Sequence, residues 1–316
     1  MCGGNLYLGI DTSNYTTSAA AYVNGEIYQA KKLLPVKSGE LGLRQSDAVF
    51  HHTAQLPLML ERLAVQADLS KVSAVGASFT PRSTEGSYMP CFTVGSGFAR
   101  SLTSVMNVPL YRFSHQQGHI AAAVYSCGHT ELFTKKHLAF HISGGTTEAL
   151  IVTPDKDNII SANLVGKTLD LNAGQLVDRV GVMLGLQFPC GKQLEQFALS
   201  FFGKIKCKPT IKGCDCCLSG VQNICEKMYK DGTPKEEIAA YVLKYIEETL
   251  YSMTLNIFKE YGEMPVLFAG GVMSNSIIKK NLTNRLGAYF AQPEFSADNA
   301  AGVAVLTAIK NKEEML

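Results

Sequence analysis

The sequence predicts an α/β protein of two related lobes with mixed sheets, and three observations lead there. Short apolar runs alternate with helical stretches of ten residues or more along the 316 residues, as in an α/β architecture. Two of these runs face a second run across a polar turn, so hairpins are expected and the sheets are not wholly parallel. A strand, glycine or hydroxyl turn, strand unit also occurs twice, the mark of a duplication.

The elements follow in order. Leu6 to Ile10 is an apolar run, Asp11-Thr12-Ser13-Asn14 a polar turn, and Ser18 to Val23 a second run ending at Asn24-Gly25, a strong hairpin signal. Asp47 to Val65 has the spacing of an amphipathic helix that Pro57 should interrupt. Val72 to Phe79 is a strand, and a Gly, Pro and Ser-rich stretch then leads to a helix over Phe98 to Met106 and a short strand over Val108 to Phe113. Ser114 is placed to cap a helix over His115 to Val124, which sets both histidines in its opening turns.

The second unit opens at Leu138 with a strand to Ile142, the turn Ser143-Gly144-Gly145-Thr146-Thr147, a run over Ala149 to Val152 and a turn at Pro154-Asp155. Asp170 to Leu184 is a helix stopped by Gly185, and Phe188 to Lys192 is a turn feeding another helix. Lys204 to Gly220 has little periodicity and holds Cys207, Cys214, Cys216 and Cys217. A long helix over Lys235 to Tyr261 closes at Gly262, and a strand over Val266 to Ala269 runs into Gly270-Gly271-Val272-Met273-Ser274-Asn275. A strand-like Ala288 to Ala291, a loop from Pro293 to Asp298 and a small-residue helix over Asn299 to Lys310 complete the order.

Composition narrows the function classes. Hydrophobic residues make up 46% of the chain, enough for large cores, so disordered and fibrous readings are out. Lys+Arg number 29 against 27 Asp+Glu, which leaves no global field to advertise nucleic acid, although a local basic patch is compatible with that balance. No apolar stretch reaches the length of a membrane span, and the first residues lack an export signal, so a cytoplasmic protein without membrane partners is expected. The nine cysteines are too dilute and uneven for a disulfide framework and are expected as reduced thiols.

Candidate sites stand out against this background. His115 and His119 lie one helical turn apart, where both imidazoles can reach one ion; a solvent-facing or capping pair is the competing reading. The glutamate of the zincin signature is missing, since Gln116 and Gln117 fill the middle, so peptide hydrolysis is disfavoured. His141 precedes the Ser143-Gly144-Gly145 turn, whose glycines permit close approach to a phosphate. Gly270-Gly271 with Asn275 forms a second such turn, and the two together point to a nucleotide. Asp298 reads either as the cap of the last helix or as an oxygen ligand suited to Fe(II), Zn or Mn beside the histidines. Asp170 and Asp178 fall on one predicted helix, more than two turns apart. Cys214-x-Cys216-Cys217 is spaced too tightly for an ordinary cluster, yet a second metal there, with Cys225 as a further ligand, is retained as a reading.

These motifs, in this order, resemble the TsaD (Gcp) family within the superfamily of actin, the heat-shock ATPases and the sugar kinases. Gly9-Ile10-Asp11-Thr12-Ser13 is similar to the family's Gly-Ile-Glu-Thr-Ser, and His115-Gln116-Gln117-Gly118-His119 to its His-x-x-Gly-His metal motif. Ile142-Ser143-Gly144-Gly145 resembles its phosphate turn, and His141 stands where archaeal members have a tyrosine ligand. Asp178 matches the ribose aspartate, Gly191 the nucleotide-contacting glycine, Gly270-Gly271 with Asn275 the adenosine-side turn, and Asp298 the metal-binding aspartate.

The resemblance implies an actin-like, sugar-kinase-like duplicated fold. Its lobes would be residues 1–112, with 300–316 packing back on them, and 113–299, with a cysteine-containing insertion near 204–220. It implies metal-dependent transfer of a threonylcarbamoyl group from threonylcarbamoyl-AMP to adenine N6 of tRNA. Asp11, Ser143 and Asp298 are then the catalytic residues. Thr12, Ser143, Gly144, Gly145, Asp178, Gly191, Gly270, Gly271 and Asn275 hold ATP or an adenylate, and His115, His119, His141 and Asp298 hold one divalent ion, Fe2+ or Zn2+. Partners so implied are tRNA, a homologous actin-fold subunit and a small ATPase. Departures cluster in the same motifs: Asn14-Tyr15-Thr16-Thr17 replaces Cys-Asp-Glu-Thr, and Leu171 and Gln175 replace an aspartate and a glutamate. They leave as alternatives a paralogue that transfers a carbamoyl or acyl group to another acceptor, and a nucleotide-binding scaffold for a partner.

Overall fold

The computed structural model describes residues 4–13, 15–35, 43–295 and 300–311. In chain order the strands and helices are β1 (Leu6–Ser13), β2 (Thr16–Val23), β3 (Glu26–Leu33), α1 (Gln45–Gln66), β4 (Val72–Thr80), α2 (Phe92–Met106), β5 (Leu110–Ser114) and α3 (His115–Cys127). Then come β6 (His137–Ile142), β7 (Thr147–Asp155), β8 (Ile159–Lys167), α4 (Ala173–Met183), α5 (Gly191–Leu199), β9 (Thr210–Lys212), β10 (Asp215–Cys217), α6 (Ser219–Lys230), α7 (Lys235–Tyr261), β11 (Val266–Ala269), α8 (Ser276–Leu286), β12 (Tyr289–Phe290) and α9 (Ala300–Lys310).

Two five-stranded sheets carry the fold, ordered β3-β2-β1-β4-β5 and β8-β7-β6-β11-β12. In the first, β1 pairs antiparallel with β2 and parallel with β4; in the second, β6 pairs antiparallel with β7 and parallel with β11. The two orders superpose strand for strand, and α1, α2 and α3 take the chain positions that α7, α8 and α9 take in the second half. The expected duplication and mixed sheets are both present, with the segment from α4 to α6 as the second half's addition.

Contacts divide the chain into a first unit of residues 1–135, 153–162 and 294–316 and a second of 136–152 and 163–293. The boundary thus falls after residue 135, where the sequence reading put it after 112. The reason is α3, which packs on α9, β4 and β5 of the first unit. α9 lies on β1, β2 and β4, and glycine permits the approach: a Cβ on Gly9 would sit 2.2 Å from the Ala300 carbonyl oxygen, and one on Gly302 would sit 1.9 Å from that of Gly118.

Several elements differ from the sequence reading. α1 runs unbroken through Pro57, because Leu56, Met59 and Leu63 on its inner face are fully buried with β-sheet residues. Burying each such side chain contributes about 1.5–3 kcal/mol, which together exceeds the ~3 kcal/mol that an interior proline costs. α2 begins six residues earlier than residue 98, and α4 starts at Ala173 rather than at Asp170. Asp170 and Asp178 therefore do not share a helix. Strands β3 and β8 and helix α8 carried no clear sequence signal, whereas α7 and β11 match their predicted bounds. Among the described residues no helix is long and apolar enough to cross a membrane.

Candidate nucleotide cavity and histidine pair

In the second unit the ends of β6 and β11 lie side by side and turn sharply. After β6 the Ser143 N–H donates to the Thr146 carbonyl at 2.7 Å, and the Thr146 N–H donates to Ser143 Oγ at 3.2 Å. Gly144 and Gly145 have open space where a Cβ would stand, so nothing packs against them on that side. Gly174, at the start of α4, is pressed onto this turn: its N–H donates to the Ser143 carbonyl at 3.1 Å, and a Cβ would come 2.6 Å from Gly144 N. Gly270 has φ +103°, with a Cβ position 2.2 Å from the Ile142 carbonyl oxygen. No other residue type fits there.

A cavity of about 660 Å³ opens on these turns. Gly144, Asp178, Gly191, Gly271 and Asn275 all line it, together with Lys192, Glu195 and Val272. Asp178 accepts the Cys190 N–H at 2.9 Å and so fixes the turn into α5. Gly191 and Lys192, the first residues of α5, both line the cavity, so the N-terminal turn of that helix, an end that favours anions, borders it. Asn275 caps α8 by accepting the Ile278 N–H at 3.0 Å, and Glu195 accepts both the N–H and the hydroxyl of Ser276. Lys192 and Glu195 escaped the sequence reading; their helix was expected, but nothing in its spacing marks one face. Ser143, Gly145 and Gly270 shape the turns without lining the cavity.

The first unit holds the other candidates. Asp11, 1% exposed at the middle of the sheet, accepts the Ser13 N–H at 2.8 Å, the Ser78 hydroxyl at 2.6 Å and His115 Nδ1 at 2.9 Å. Burial pushes its carboxyl up, but the His115 charge and the three hydrogen bonds outweigh this and hold it below the usual range. Ser114 caps α3 with a full capping box to Gln117, which fixes the first turn and thereby His115. The His115 and His119 rings meet edge to face with centroids 4.6 Å apart. Thr12 is engaged inside this unit, donating to the Cys91 carbonyl at 2.9 Å and accepting the Gly95 N–H at 3.0 Å. His52, fully buried on α1, bonds Thr17 through Nδ1 at 2.8 Å. Burial lowers its pKa to about 4, against an opposing pull from Asp11.

Asp298 lies outside the described residues, and His141 is half-buried at the end of β6 in the second unit. Among the described residues no group of three or more His, Cys, Asp or Glu converges on one point. This corrects the reading of a metal at Cys214, Cys216 and Cys217. They sit on the β9–β10 hairpin, where alternation sends Cys216 into the core, and burial pushes its thiol up to about 12. Cys214 instead donates to Glu260 at 3.4 Å, and Cys225 is buried with its thiol also raised to about 12. Two family departures have structural uses: Leu171 is buried in the core, and Gln175 completes the capping box of α4.

A family model described as TsaD, tRNA N6-adenosine threonylcarbamoyltransferase, matches residues 36–305. The chain is 27% identical over 317 residues to the tRNA N6-adenosine threonylcarbamoyltransferase of Thermosipho africanus, which covers 95% of this chain and 92% of that protein. Among solved structures, component A of the (R)-2-hydroxyglutaryl-CoA dehydratase of Acidaminococcus fermentans matches with a TM-score of 0.57 at 16% identity, covering 97% of this chain and 98% of that one. Full-length HypF matches with a TM-score of 0.61 at 13% identity, covering 99% of this chain and 57% of that one. At those identities the likeness speaks for the fold alone, which is the actin-like, sugar-kinase-like one. With a model match over most of its length and the family's glycine turns and histidine pair in place, the chain belongs to the TsaD family of tRNA N6-adenosine threonylcarbamoyltransferases.

Proposed function

We propose that this protein transfers a threonylcarbamoyl group from threonylcarbamoyl-AMP to adenine N6 of tRNA. The observation that carries the reading is the cavity of the second unit: five residues nominated for the nucleotide, Gly144, Asp178, Gly191, Gly271 and Asn275, line one space of about 660 Å³. That is ample for an adenylate. In this reading Asp178 and Asn275 hold the nucleoside, while the open face of the Gly144 turn, the α5 N-terminus and Lys192 hold the phosphate. Nitrogen N6 attacks the carbamoyl carbon and gives up one proton to solvent, the bond from that carbon to the phosphate oxygen breaks, and AMP leaves with that oxygen. Holding both reactants in place accounts for the rate without a protein nucleophile.

His115 and His119 suit a divalent ion, Fe2+ or Zn2+, by their donor chemistry, and the resemblance adds Asp298 and His141 to them. When bound, such an ion supplies Lewis acidity toward a carbonyl oxygen. Asp11 fits as the partner that orients the His115 ring, through its contact with Nδ1. A homologous actin-fold subunit, a small ATPase and a cytoplasmic location go with the same reading. The test is incorporation of labelled threonine into tRNA with bicarbonate, ATP and an adenylate-forming enzyme. Product is expected with the wild type and at least tenfold less with Asp178→Ala; no product from wild-type protein that binds AMP would overturn the tRNA reading.

A further inference from the structure

Residues 202–212 form a built surface that the nucleotide cavity does not use. From residue 204 on exposure alternates: Lys204, Lys206, Lys208, Thr210 and Lys212 are exposed, whereas Ile205, Cys207, Pro209 and Ile211 are half-buried; Phe202 and Gly203 before them are both exposed, and the chain bends at Gly203. This is the side-chain alternation of an extended chain. Successive outward residues on such a chain are about 6.5–7 Å apart, commensurate with the spacing of phosphates along a nucleic-acid strand. From 196 to 214 the sequence holds these four lysines and no aspartate or glutamate.

The segment is anchored from beneath. Cys207 and Ile211 pack against the core, the Thr210 N–H donates to the Tyr245 hydroxyl at 3.0 Å, and β9 pairs with β10. Among the described residues Lys204, Lys206 and Lys208 take part in no ion pair. The nearby carboxylates are committed elsewhere: Asp215, opposite Lys212, accepts the Lys167 N–H at 2.8 Å, and Glu247 and Glu248 pair with Lys244 and Arg285. At the head of the row Phe202 is 96% exposed. An apolar ring held in water has no folding benefit, but two residues away from a row of ammonium groups it has the make-up of a stacking platform for a base.

We infer that the ridge Phe202-Lys204-Lys206-Lys208 binds a single-stranded stretch of RNA, the lysines meeting consecutive phosphates and Phe202 stacking on one base. The identification of the polyanion as RNA rests on the tRNA reading above. The probe is a fluorescein-labelled 12-nucleotide single-stranded RNA of mixed sequence, titrated with the full chain and followed by anisotropy at several salt concentrations.

The triple variant Lys204→Gln, Lys206→Gln, Lys208→Gln is expected to weaken binding at least tenfold at 0.1 M salt. The slope of log K against log salt should fall by about 2, given roughly 0.7 per phosphate contact on a single strand. Phe202→Ala should weaken binding by about tenfold with the slope unchanged, and three Lys→Arg changes should restore wild-type affinity. Unaltered AMP binding in each variant confirms that the second unit is folded. RNA affinity unchanged in the triple variant would overturn the inference. So would polyglutamate competing as well as unlabelled RNA while Phe202→Ala does nothing, a result that marks a surface for an acidic protein. If the ridge binds RNA but the chain transfers nothing to tRNA, the transferase reading falls and the ridge stands; transfer with a ridge variant of unchanged RNA affinity does the reverse.

Discussion

Asp11 shows how one buried carboxylate can be spent on position. Its two oxygens take a backbone N–H, a serine hydroxyl and the His115 ring. Asp11→Asn keeps the shape and removes the charge, so divalent-ion affinity measured by titration calorimetry should fall 10–100-fold, while the His115–His119 spacing is retained. His52 gives a pH test. The unfolded chain binds a proton at the ordinary histidine pKa of about 6.5, but the folded chain resists it down to about 4. Between those values only the unfolded state is protonated, so the first unit loses stability as pH falls. The loss should be on the order of 2 kcal/mol from pH 8 to 5, read from urea unfolding, and His52→Gln should flatten it. Asp11 adds to the same trend at lower pH, since its depressed pKa gives stability that disappears as pH falls through it.

Elements show where local rules give way to packing. Pro57 is tolerated in α1 because the inner face of the helix is buried, not because the site suits proline. Pro57→Ala should therefore stabilise the first unit by about 1–2 kcal/mol, the restored helix bond being partly offset by a freer unfolded chain; an unchanged urea midpoint would contradict this. Gly174→Ala should do the opposite to the second unit, costing about 1–3 kcal/mol and weakening AMP binding, because a methyl group would push on Gly144 N. The same contrast governs what was legible in the sequence. Caps and closing glycines are written locally, so Ser114 and the helix ending at Gly262 could be read directly. β3 and β8 could not, for their pairing depends on strands whose apolar pattern carries the signal, and β3 itself is mostly exposed or half-buried. The cysteines misled because spacing says nothing of which side of a hairpin each residue takes.

For the whole molecule, the motif positions were legible because the duplication repeats them: a strand, a turn, then glycine. Five of the residues that line the cavity were legible in this way, but Lys192 and Glu195 were not, since they join it only through the packing of α5. Two cores in two units predict that a ligand of one will act unevenly. AMP at 100 times its Kd should stabilise the second unit by about 2.7 kcal/mol. Hydrogen exchange should slow at 143–147, 189–192 and 270–276 before it slows in β1 to β5; uniform slowing would refute a cavity confined to the second unit.

The helix α9 closes over β1, so the first strand of the chain receives its cover from residues 300–310. On a ribosome that order matters. Most of the second unit, up to residue 293, emerges and can fold while the apolar face of β1, with its close-approach glycine at Gly9, still waits for a lid that has not been made. At ordinary synthesis rates of roughly 5–20 residues per second, the interval is on the order of tens of seconds. The half of the molecule that is translated first is therefore the half that is finished last, and it is there, rather than at the nucleotide cavity, that nascent chains would need shelter from aggregation.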